Sequence, residues 1–188
     1  MRVIAGNFRG RRIKTLPGKN TRPTLDKVKE SVFNILGQYF VGGSCLDLFS
    51  GSGNLGIEAL SRGCETCVFV EQNYKAYQVI KENINALNLE NKTEIFRMDA
   101  YKALGVLEKN GYKFDYVFLD PPYYNQKINK VLEILVNNNL LSNNAKVIVE
   151  CLKEDETLTS YLDLKLEKIN YYGITKISIY KKYGDKGE

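Results

Sequence analysis

Four consecutive residues in the sequence combine a carboxylate, two stiff rings and an aromatic side chain: Asp120, Pro121, Pro122 and Tyr123. An exocyclic amine on a nucleobase is a poor nucleophile, because its lone pair is delocalised into the ring. Asp120 and the Pro121 carbonyl, held in one direction by Pro122, could accept hydrogen bonds from the amine and localise that lone pair. Tyr123 could stack on an extruded base. We therefore predict that these four residues catalyse group transfer to an amine of a base.

A glycine-rich loop follows an earlier apolar run and predicts a cofactor site. Gly51, Gly53 and Gly56 match the pattern G-x-G-x-x-G, and Glu71 lies twenty positions after Gly51, a spacing typical of dinucleotide-binding folds. The pattern alone does not separate a nicotinamide cofactor from S-adenosylmethionine (SAM). Charge does, because Asp47 at the strand end would repel a pyrophosphate, whereas it suits the cationic amino group of SAM. We therefore predict that this loop binds SAM.

Further acidic residues follow the next two predicted strands. Glu71 is placed to accept hydrogen bonds from both ribose hydroxyls of the cofactor, and Asp99 to reach the adenine amine, with the Ala100 amide nearby. One acidic residue at a strand end is commonplace, but three after successive strands, beside a glycine loop, favour a ligand site. The predicted cofactor-binding residues in this part of the chain are Asp47, Phe49, Gly51, Gly53, Glu71, Gln72, Asp99 and Ala100.

The composition is that of an ordinary globular protein. The 188 residues are 44% apolar, enough for a sizeable core, so we expect a single domain over residues 1–188. No apolar run is long enough to span a bilayer, and the first residues lack the apolar segment of a signal peptide. We therefore expect a cytoplasmic protein without membrane contact. The absence of histidine excludes Ser-His-Asp and Cys-His catalysis.

The four cysteines are predicted to be small buried side chains rather than metal ligands. Cys64 and Cys67 have the spacing of a ligand pair, but neither a second such pair nor a histidine accompanies them. A structural zinc site normally needs four nitrogen or sulfur ligands. We therefore expect no metal.

Positive charge is concentrated near the N-terminus. Residues 1–30 hold nine of the 27 lysines and arginines but only two of the 22 acidic residues. Such clustering favours a polyanionic partner over a merely solvated surface. Phe8, amid the arginines, fits equally well as a base-stacking residue or as a small hydrophobic plug. The predicted nucleic-acid-binding residues are Arg9, Arg11, Arg12 and Lys14.

Residues 1–40 are predicted to form a small extension. Arg2–Ala5 and Arg12–Lys14 have the pattern of two hairpin strands around a Gly-Asn-Phe-Arg-Gly turn. A loop over Pro17–Pro23 follows, and Thr24 is predicted to be the N-cap of an amphipathic helix. The apolar face of that helix is expected at Val28, Val32, Ile35, Leu36 and Tyr39.

Strands and helices alternate from residue 44 onward, which predicts a catalytic core over residues 44–183. The order predicts an α/β fold, doubly wound and Rossmann-like, with a mostly parallel sheet. The last residues alternate as an antiparallel hairpin at the sheet edge. The expected strands are Cys45–Phe49, Thr66–Val70, Thr93–Arg97, Tyr116–Leu119, Lys146–Cys151, Leu164–Tyr171 and Ile174–Tyr180. The expected helices are Leu55–Arg62, one capped by Asn73, Ala100–Lys109, and one with Ile128, Val131, Leu132 and Leu135 on its face.

The two motifs are expected to meet in space. Ligands of doubly wound sheets bind beyond the carboxyl ends of the strands, where the strand order reverses. The first and fourth strands are neighbours at that point. The loop after Phe49 and the loop after Leu119 should therefore face one another and form one site.

Four segments of the sequence together resemble the RsmD family of bacterial methyltransferases. They are RVIAGNFRGRRI at residues 2–13, RPTLDKVKESVFNIL at 22–36, CLDLFSGSGNLGIEALSRG at 45–63 and VFLDPPY at 117–123. The resemblance implies a SAM-dependent enzyme that methylates the exocyclic N2 amine of one guanine, position 966 in the usual ribosomal numbering, in 16S rRNA of the small ribosomal subunit. It covers nearly the whole chain.

The resemblance also implies roles for single residues. Arg22 and Thr24 would lie against the cofactor, and Ser31 and Asn34 would face it from the helix. The basic hairpin would bind rRNA phosphates, the glycine loop and the acidic residues would contact SAM, and residues 120–123 would form the catalytic loop. For so compact a chain we expect a monomer.

Three other functions stay open from the residues alone. The same Asp-Pro-Pro-Tyr loop acts on adenine N6 in DNA, although this compact chain has no obvious room for a separate target-recognition insertion. A nicotinamide-dependent oxidoreductase would bind NAD instead of SAM. A catalytically silent RNA-binding or ribosome assembly factor would bind the subunit without transferring a methyl group.

Overall fold

The computed structural model describes residues 1–16, 23–122 and 127–184, without the side chains of residues 23–27. Its helices are α1 (Pro23–Leu36), α2 (Asn54–Ser61), α3 (Tyr74–Ala86), α4 (Ala100–Lys109) and α5 (Ile128–Asn137), with a short 3₁₀ helix at Glu90–Lys92. Its strands are β1 (Ser44–Asp47), β2 (Thr66–Val70), β3 (Thr93–Phe96), β4 (Phe114–Leu119), β5 (Leu141–Leu152), β6 (Ser160–Tyr161), β7 (Leu164–Tyr172) and β8 (Thr175–Lys182).

All eight strands form one sheet, in the order β3-β2-β1-β4-β5-β8-β7-β6. β1 to β5 run parallel, and β6 to β8 complete the sheet as antiparallel strands beyond β5. This confirms the predicted α/β, doubly wound, Rossmann-like fold with a C-terminal hairpin. β1 lies beside β4, with Asp47 level with Phe118, so the strand order reverses where the sequence predicted it.

Successive residues of the central strands face opposite sides of the sheet, and helices cover both sides. Val117 belongs to the apolar cluster that includes residues of α4 and α5, whereas Phe118 belongs to the cluster that includes residues of α1, α2 and α3. Strands buried on both faces require this continuous apolar pattern. No helix in the described ranges is both long enough and apolar enough to cross a membrane.

Several predicted boundaries agree with the structure because they rest on local signals. β2 and α4 have the predicted limits. Asn73 is the N-cap of α3, and its side chain accepts a hydrogen bond from the Ala76 amide at 3.1 Å. A short polar side chain at this position satisfies one of the amides that the first helical turn leaves without a partner.

Two expectations about the first helix are wrong. α1 begins at Pro23, so Thr24 is its second residue and not its N-cap. Proline is favoured at the first helical position, since the N–H that it lacks would have no partner there. The helix ends at Leu36, and Tyr39 lies beyond it with 63% of its surface exposed.

Strand limits differ where pairing in three dimensions overrides the local pattern. β1 ends at Asp47 rather than Phe49, because the chain turns there into the glycine loop. β5 begins at Leu141, five residues earlier than expected, although residues 142–144 are polar. β6 was not predicted, since a strand of two residues has no detectable period.

The predicted N-terminal hairpin is present as a single antiparallel bridge between Arg2 and Arg12. Backbone hydrogen bonds extend it slightly: Val3 N donates to Arg11 O, and Ile13 N donates to Met1 O, each at 3.0 Å. The segment is too short for two regular strands, and it is held mainly by the helices on which it lies.

Candidate active site at the carboxyl edge of the sheet

A cleft opens at the carboxyl edge of the sheet, where the strand order reverses. The ends of β1, β4 and β5 line it together with the glycine loop, α1 and residues of the N-terminal segment. It brings together four residues that the sequence predicted for the site: Asp47, Phe49, Gly51 and Asp120. The predicted meeting of the two motifs is therefore present in the fold. Other residues that line the cleft include Val28, Lys29, Leu119, Ile148 and Glu150.

Asp47 lies at the bottom of this cleft and is 1% exposed. Its Oδ2 accepts a hydrogen bond from the Gly56 amide at 3.0 Å, within the first turn of α2. The pKa of the Asp47 carboxyl is raised to about 7, mainly by burial and in smaller part by the charges of Asp120 and Glu71, while the Gly56 hydrogen bond lowers it. A cation that entered the cleft would favour the ionised carboxylate.

The glycine loop is held by close packing and by a serine. A Cβ on Gly56 would lie 2.4 Å from Phe69 Cε1 and 2.6 Å from Cys67 Sγ, so only glycine lets α2 pack this closely on β2. Ser50 Oγ accepts a hydrogen bond from Val70 N at 3.0 Å and donates one to the backbone oxygen of Asp47 at 2.6 Å. The loop is therefore preorganised by its own residues.

Glu71 follows β2 and contacts the same loop. Its Oε2 accepts from the Gly51 amide at 2.9 Å, and its Oε1 accepts from the Asn73 amide at 2.8 Å. Each carboxylate oxygen can accept more than one hydrogen bond, so both oxygens retain acceptor capacity. The predicted contact of Glu71 with ribose hydroxyls is compatible with these bonds and stays a prediction.

The remaining predicted cofactor residues lie beside the cleft, at the ends of β2 and β3. Gln72 is exposed, and Ala100 is the buried first residue of α4. Asp99 is the N-cap of α4, and its Oδ1 accepts from Tyr101 N at 3.0 Å and from Lys102 N at 3.1 Å. The acidic residue thus has a structural role in the helix, and its reach to an adenine amine stays a prediction.

The second motif enters the cleft with its acidic residue. Asp120 is exposed and lines the cleft, Pro121 is buried, and Pro122 is exposed. Tyr123, the fourth predicted catalytic residue, lies outside the described residues. The short connection after β4 therefore presents the Asp120 carboxylate beside Asp47, as the strand order requires.

The residues implied near the cofactor in the N-terminal part are only partly described. Arg22 lies outside the described residues, and of Thr24 only the backbone, within α1, is described. Ser31 and Asn34 are not among the residues that α1 contributes to the cleft lining, and Asn34 is exposed. The residues that do so are Val28, Lys29 and Val32.

Two charged residues of the cleft were missed by the sequence reasoning. Glu150 lies in β5, where a lone carboxylate within the apolar run of residues 147–151 was a signal for a functional side chain. Lys29 lies in α1 and is 2% exposed, although its sequence surroundings are those of a solvated basic segment. Its burial follows from the packing of α1 on the sheet.

A buried ion network joins the cleft to the N-terminal segment. Lys29 donates to Arg2 O at 2.7 Å and to Asn54 Oδ1 at 2.8 Å. Its Nζ also lies 3.1 Å from Oε2 of Glu58, which is fully buried. The second oxygen of Glu58 accepts from Arg62 Nε at 2.8 Å. Each buried charge therefore has a counter-ion, as burial of charge requires.

The N-terminal segment lies against the C-terminal half of α2. Ile4 N and Ala5 N donate to the Glu58 carboxylate at 2.9 and 3.0 Å. At Gly6, whose φ is +82°, a Cβ would lie 1.8 Å from the backbone oxygen of Ser61. Only glycine permits this approach. The same carboxylate thus anchors both the buried cations and the basic segment.

Asn83 of α3 ties the N-terminal segment to the glycine loop. Its Oδ1 accepts from Lys14 N at 2.8 Å, and its Nδ2 donates to Lys14 O at 3.0 Å and to Ser52 O at 2.9 Å. The side chain is 3% exposed. One amide therefore couples the position of the basic segment to that of the predicted cofactor loop.

Phe8 resolves the alternative that the sequence left open. It is partly buried and packs against the apolar cluster on the α1 side of the sheet. Its amide donates to Ser61 Oγ at 3.0 Å. The ring is a hydrophobic plug that holds the turn against α2.

The four predicted nucleic-acid-binding residues are all exposed, but they differ in their partners. Arg11 donates to a main-chain oxygen at the end of α3 at 2.9 Å. Lys14 Nζ lies 2.9 Å from Glu82, in a pair whose members are 70% and 53% exposed. Within the described part of the chain, the side chains of Arg9 and Arg12 have no hydrogen-bond or ion-pair partner. Of the four predicted residues, these two are the ones whose charges are not engaged by described residues.

The cysteines match the prediction, since all four are buried and unpaired. Burial raises the pKa of Cys67 to about 11, so its thiol stays protonated at neutral pH. In the ranges that the structure describes, no cluster of three or more cysteine, aspartate or glutamate side chains is arranged to hold a metal ion.

Comparison with known proteins finds a family model and relatives that match most of this chain. The family model described as Conserved hypothetical protein 95 matches residues 1–181. A Bacillus subtilis (strain 168) protein, YlbH, is 45% identical over 98% of this chain and 100% of its own length. The Haemophilus influenzae protein named "Ribosomal RNA small subunit methyltransferase D" is 37% identical over 85% of this chain and 82% of its own.

A solved structure shows the same architecture. The Escherichia coli protein yhhF matches with a TM-score of 0.83 and 29% identity, over 98% of this chain and 99% of that one. The similarity thus includes the N-terminal segment and the C-terminal hairpin as well as the central sheet.

Proposed function

The chain belongs to the RsmD family, whose family model is described as Conserved hypothetical protein 95, and we propose that it transfers a methyl group from SAM to the exocyclic N2 amine of a guanine in 16S rRNA of the small ribosomal subunit. The name of the Haemophilus influenzae relative supports a methyltransferase that acts on small-subunit rRNA. The choice of guanine and of N2 rests on the resemblance of the motifs.

One observation carries the proposal. Asp47 and Asp120, which are 73 residues apart, line one cleft at the carboxyl ends of neighbouring parallel strands. This is the position at which doubly wound folds bind their ligands. A site for a cofactor and a site for an amine are thereby adjacent, as transfer between them requires.

The residues of the cleft fit SAM better than a dinucleotide. Asp47 and Asp120 line the cleft and would repel a pyrophosphate, whereas the amino group and the sulfonium of SAM are cationic. Asp47 would hold the amino group, directly or through water, and Glu71 would accept from the ribose hydroxyls. The other proposed cofactor contacts are Phe49, Gly51, Gly53, Gln72, Asp99, Ala100, Arg22 and Thr24.

The catalytic loop would activate the amine. Asp120 and the Pro121 carbonyl would accept hydrogen bonds from the two amine hydrogens. The nitrogen lone pair would then be less delocalised into the ring and would be directed toward the methyl donor. Bound SAM supplies the methyl group, so the N–C bond forms as the S–C bond breaks and S-adenosylhomocysteine is released. The amine then loses one proton, to Asp120 or to water. Pro122 stiffens the loop, and Tyr123 stacks on the base.

The N-terminal segment would bind the rRNA. Its exposed arginines, which include Arg9 and Arg12, lie on a segment that Asn83 connects to the glycine loop. Phosphate contacts there would position the RNA, and the cleft would select the base. We expect the enzyme to act as a monomer in the cytoplasm, where ribosomal subunits assemble.

The decisive experiment is methyl transfer from radiolabelled SAM to small ribosomal subunits taken from a strain that lacks the modification. Naked 16S rRNA and duplex DNA are offered in parallel, and the methylated nucleoside is identified by chromatography. We expect N2-methylguanosine on the subunit. Heat-inactivated enzyme and subunits that already carry the modification are the matched controls.

Other outcomes would redirect the proposal. Label on adenine in duplex DNA would keep the cofactor and the role of Asp120 but replace the substrate. Binding of NAD instead of SAM would indicate an oxidoreductase. SAM binding and subunit binding without any transfer would indicate a silent assembly factor.

A further inference from the structure

Glu150 lies next to Asp120 in the fold. Leu119 of β4 is paired with Val149 of β5 in parallel register, so Asp120 and Glu150 are the next residues on adjacent strands. Both line the cleft. Glu150 projects to the same sheet face as Ile148, two residues earlier, whose apolar cluster includes α1. Glu150 therefore lies where the sheet face that α1 covers borders the cleft.

The Glu150 carboxyl is partly buried, and no described residue pairs with it. In the described ranges of the chain, no group donates a hydrogen bond to it and no cation pairs with it. Burial and, secondarily, the Asp120 charge raise the pKa of Glu150 to about 8. Among the described residues, the other ionisable side chains that line the cleft are Asp47, Asp120 and Lys29, and Lys29 is paired with Glu58.

A carboxyl in this position is incompletely hydrated and gains no described hydrogen bond in return, which costs free energy. The neighbouring strand residues are apolar, and an apolar side chain at position 150 would fit this strand better. A ligand that donates a hydrogen bond into the cleft removes the penalty. Glu150 is thus suited to accept a hydrogen bond from a donor on the bound base.

We propose that Glu150 selects guanine by accepting a hydrogen bond from the ring N1–H, beside the N2 amine that Asp120 holds; this inference rests on the proposed function. N1 and N2 are neighbours on the same edge of guanine, as Glu150 and Asp120 are neighbours at the edge of the sheet. A donor at N1 favours the ionised Glu150 carboxylate, and the lone pair at N1 of adenine and 2-aminopurine repels that carboxylate. The protonated carboxyl would instead donate to this lone pair. The preference for guanine should therefore increase as the pH rises through about 8. A site built around one donor rejects the base that lacks it.

The test compares two bases that carry the same amine. 2-Aminopurine keeps the N2 amine and lacks N1–H, so it isolates the proposed contact. Small subunits are reconstituted with 16S rRNA that carries guanine or 2-aminopurine at the position that the wild-type enzyme methylates. The kcat/KM ratio of the two substrates is measured above pH 8, where the Glu150 carboxyl is ionised, for the wild type, Glu150→Ala and Glu150→Gln. Glu154→Ala, which removes an exposed acid after the same strand, is the matched control.

The wild type should prefer guanine by about tenfold to hundredfold, the range of one hydrogen bond to a charged group. Glu150→Ala should lose rate on guanine but not on 2-aminopurine, so its ratio falls toward one. Glu150→Gln should keep much of the rate on guanine and gain rate on 2-aminopurine, because its amide can both accept and donate. Glu154→Ala should keep the wild-type ratio.

Three results would overturn the inference. If Glu150→Ala and Glu150→Gln lower the rates on both bases equally, Glu150 has a structural role. If their only change is weaker SAM binding, Glu150 belongs to the cofactor site. If the wild type transfers no methyl group to guanine-containing subunits, the proposed function is wrong, and the inference that rests on it is wrong as well. The first two results, in contrast, leave the proposed function intact and overturn only the role of Glu150.

Discussion

Glu58 Oε2 lies 3.1 Å from Lys29 Nζ, and the two side chains are 0% and 2% exposed. Lys29 belongs to α1 and lines the cleft, whereas Glu58 belongs to α2, the helix that begins at the glycine loop. The same carboxylate accepts from the Ile4 amide at 2.9 Å. This pair therefore connects the basic segment, the helix over the sheet and the predicted cofactor loop.

Replacing Glu58 by alanine should lower the free energy of unfolding by about 3–5 kcal/mol, since Lys29 and Arg62 would stay buried without a counter-ion. Denaturant unfolding measures this loss. Glu82→Ala is the matched control, because it removes an exposed acid paired with Lys14 and should cost about 1 kcal/mol or less. Equal losses in both variants would contradict a stabilising role of the buried network.

Replacing Asp47 by asparagine should weaken SAM binding about tenfold to hundredfold, because the charge-assisted hydrogen bond to the amino group is removed. Isothermal titration calorimetry measures the dissociation constant. Asp120→Asn serves as the comparison, since it removes a carboxylate of the same cleft that we assign to the base. Equal losses of SAM affinity in the two variants would refute this division of roles.

The pH dependence of SAM binding should follow from the raised pKa of Asp47, about 7 in the free protein. A bound cation favours the ionised carboxylate, so binding should tighten as the pH rises through about 7, with release of a proton below that pH. Above about pH 8 the amino group of SAM itself loses its charge. Asp47→Asn should flatten the acidic limb. An unchanged limb would contradict this role of Asp47 and would point to Glu150, whose pKa is also raised.

Asp120→Asn should lower turnover about 10²- to 10³-fold with little change in SAM affinity, because one preorganised group that acts on the amine is weakened. Single-turnover methylation of small subunits measures the chemical step. Asp115→Asn, an acid at the opposite end of the same strand, should leave the rate on the subunit far less affected. A normal rate in Asp120→Asn would remove this residue from the catalytic loop.

Replacing both Arg9 and Arg12 by alanine should weaken binding to small-subunit rRNA and reduce its dependence on salt, by about 0.7 in the slope for each phosphate that the variant no longer neutralises. Filter binding over a series of salt concentrations gives the slope. Lys165→Ala with Lys168→Ala removes the same charge from exposed positions on β7 and should leave the slope nearly unchanged. If both double variants reduced the salt slope equally, the protein would attract the rRNA through its overall positive charge and not through a specific surface.

The limits of β2 and α4 and the cap of α3 were predictable because they depend on local signals. Apolar alternation, a helical period and a polar N-cap act within a few residues, and their energies do not require the rest of the chain. Thr24 shows where local signals compete. A threonine before an apolar run favours an N-cap at that residue. The preceding proline favours the first helical position more strongly, so the helix begins at Pro23.

The presence of Asp47 and Asp120 in one cleft was also predictable, although the two residues are far apart in the chain. It follows from a rule of topology, because a doubly wound sheet places its first and fourth strands side by side. The sequence alone therefore determined the fold class, the glycine-rich loop and the two acids that line the cleft.

Only the tertiary structure decided which other residues reach that site. Glu150 stands in the cleft because β5 pairs with β4 in one particular register, and Lys29 is buried because α1 packs over the same face. Asn83 joins the basic segment to the glycine loop across 69 residues of chain. Such contacts depend on how all the elements pack together, and no local period or propensity carries that information.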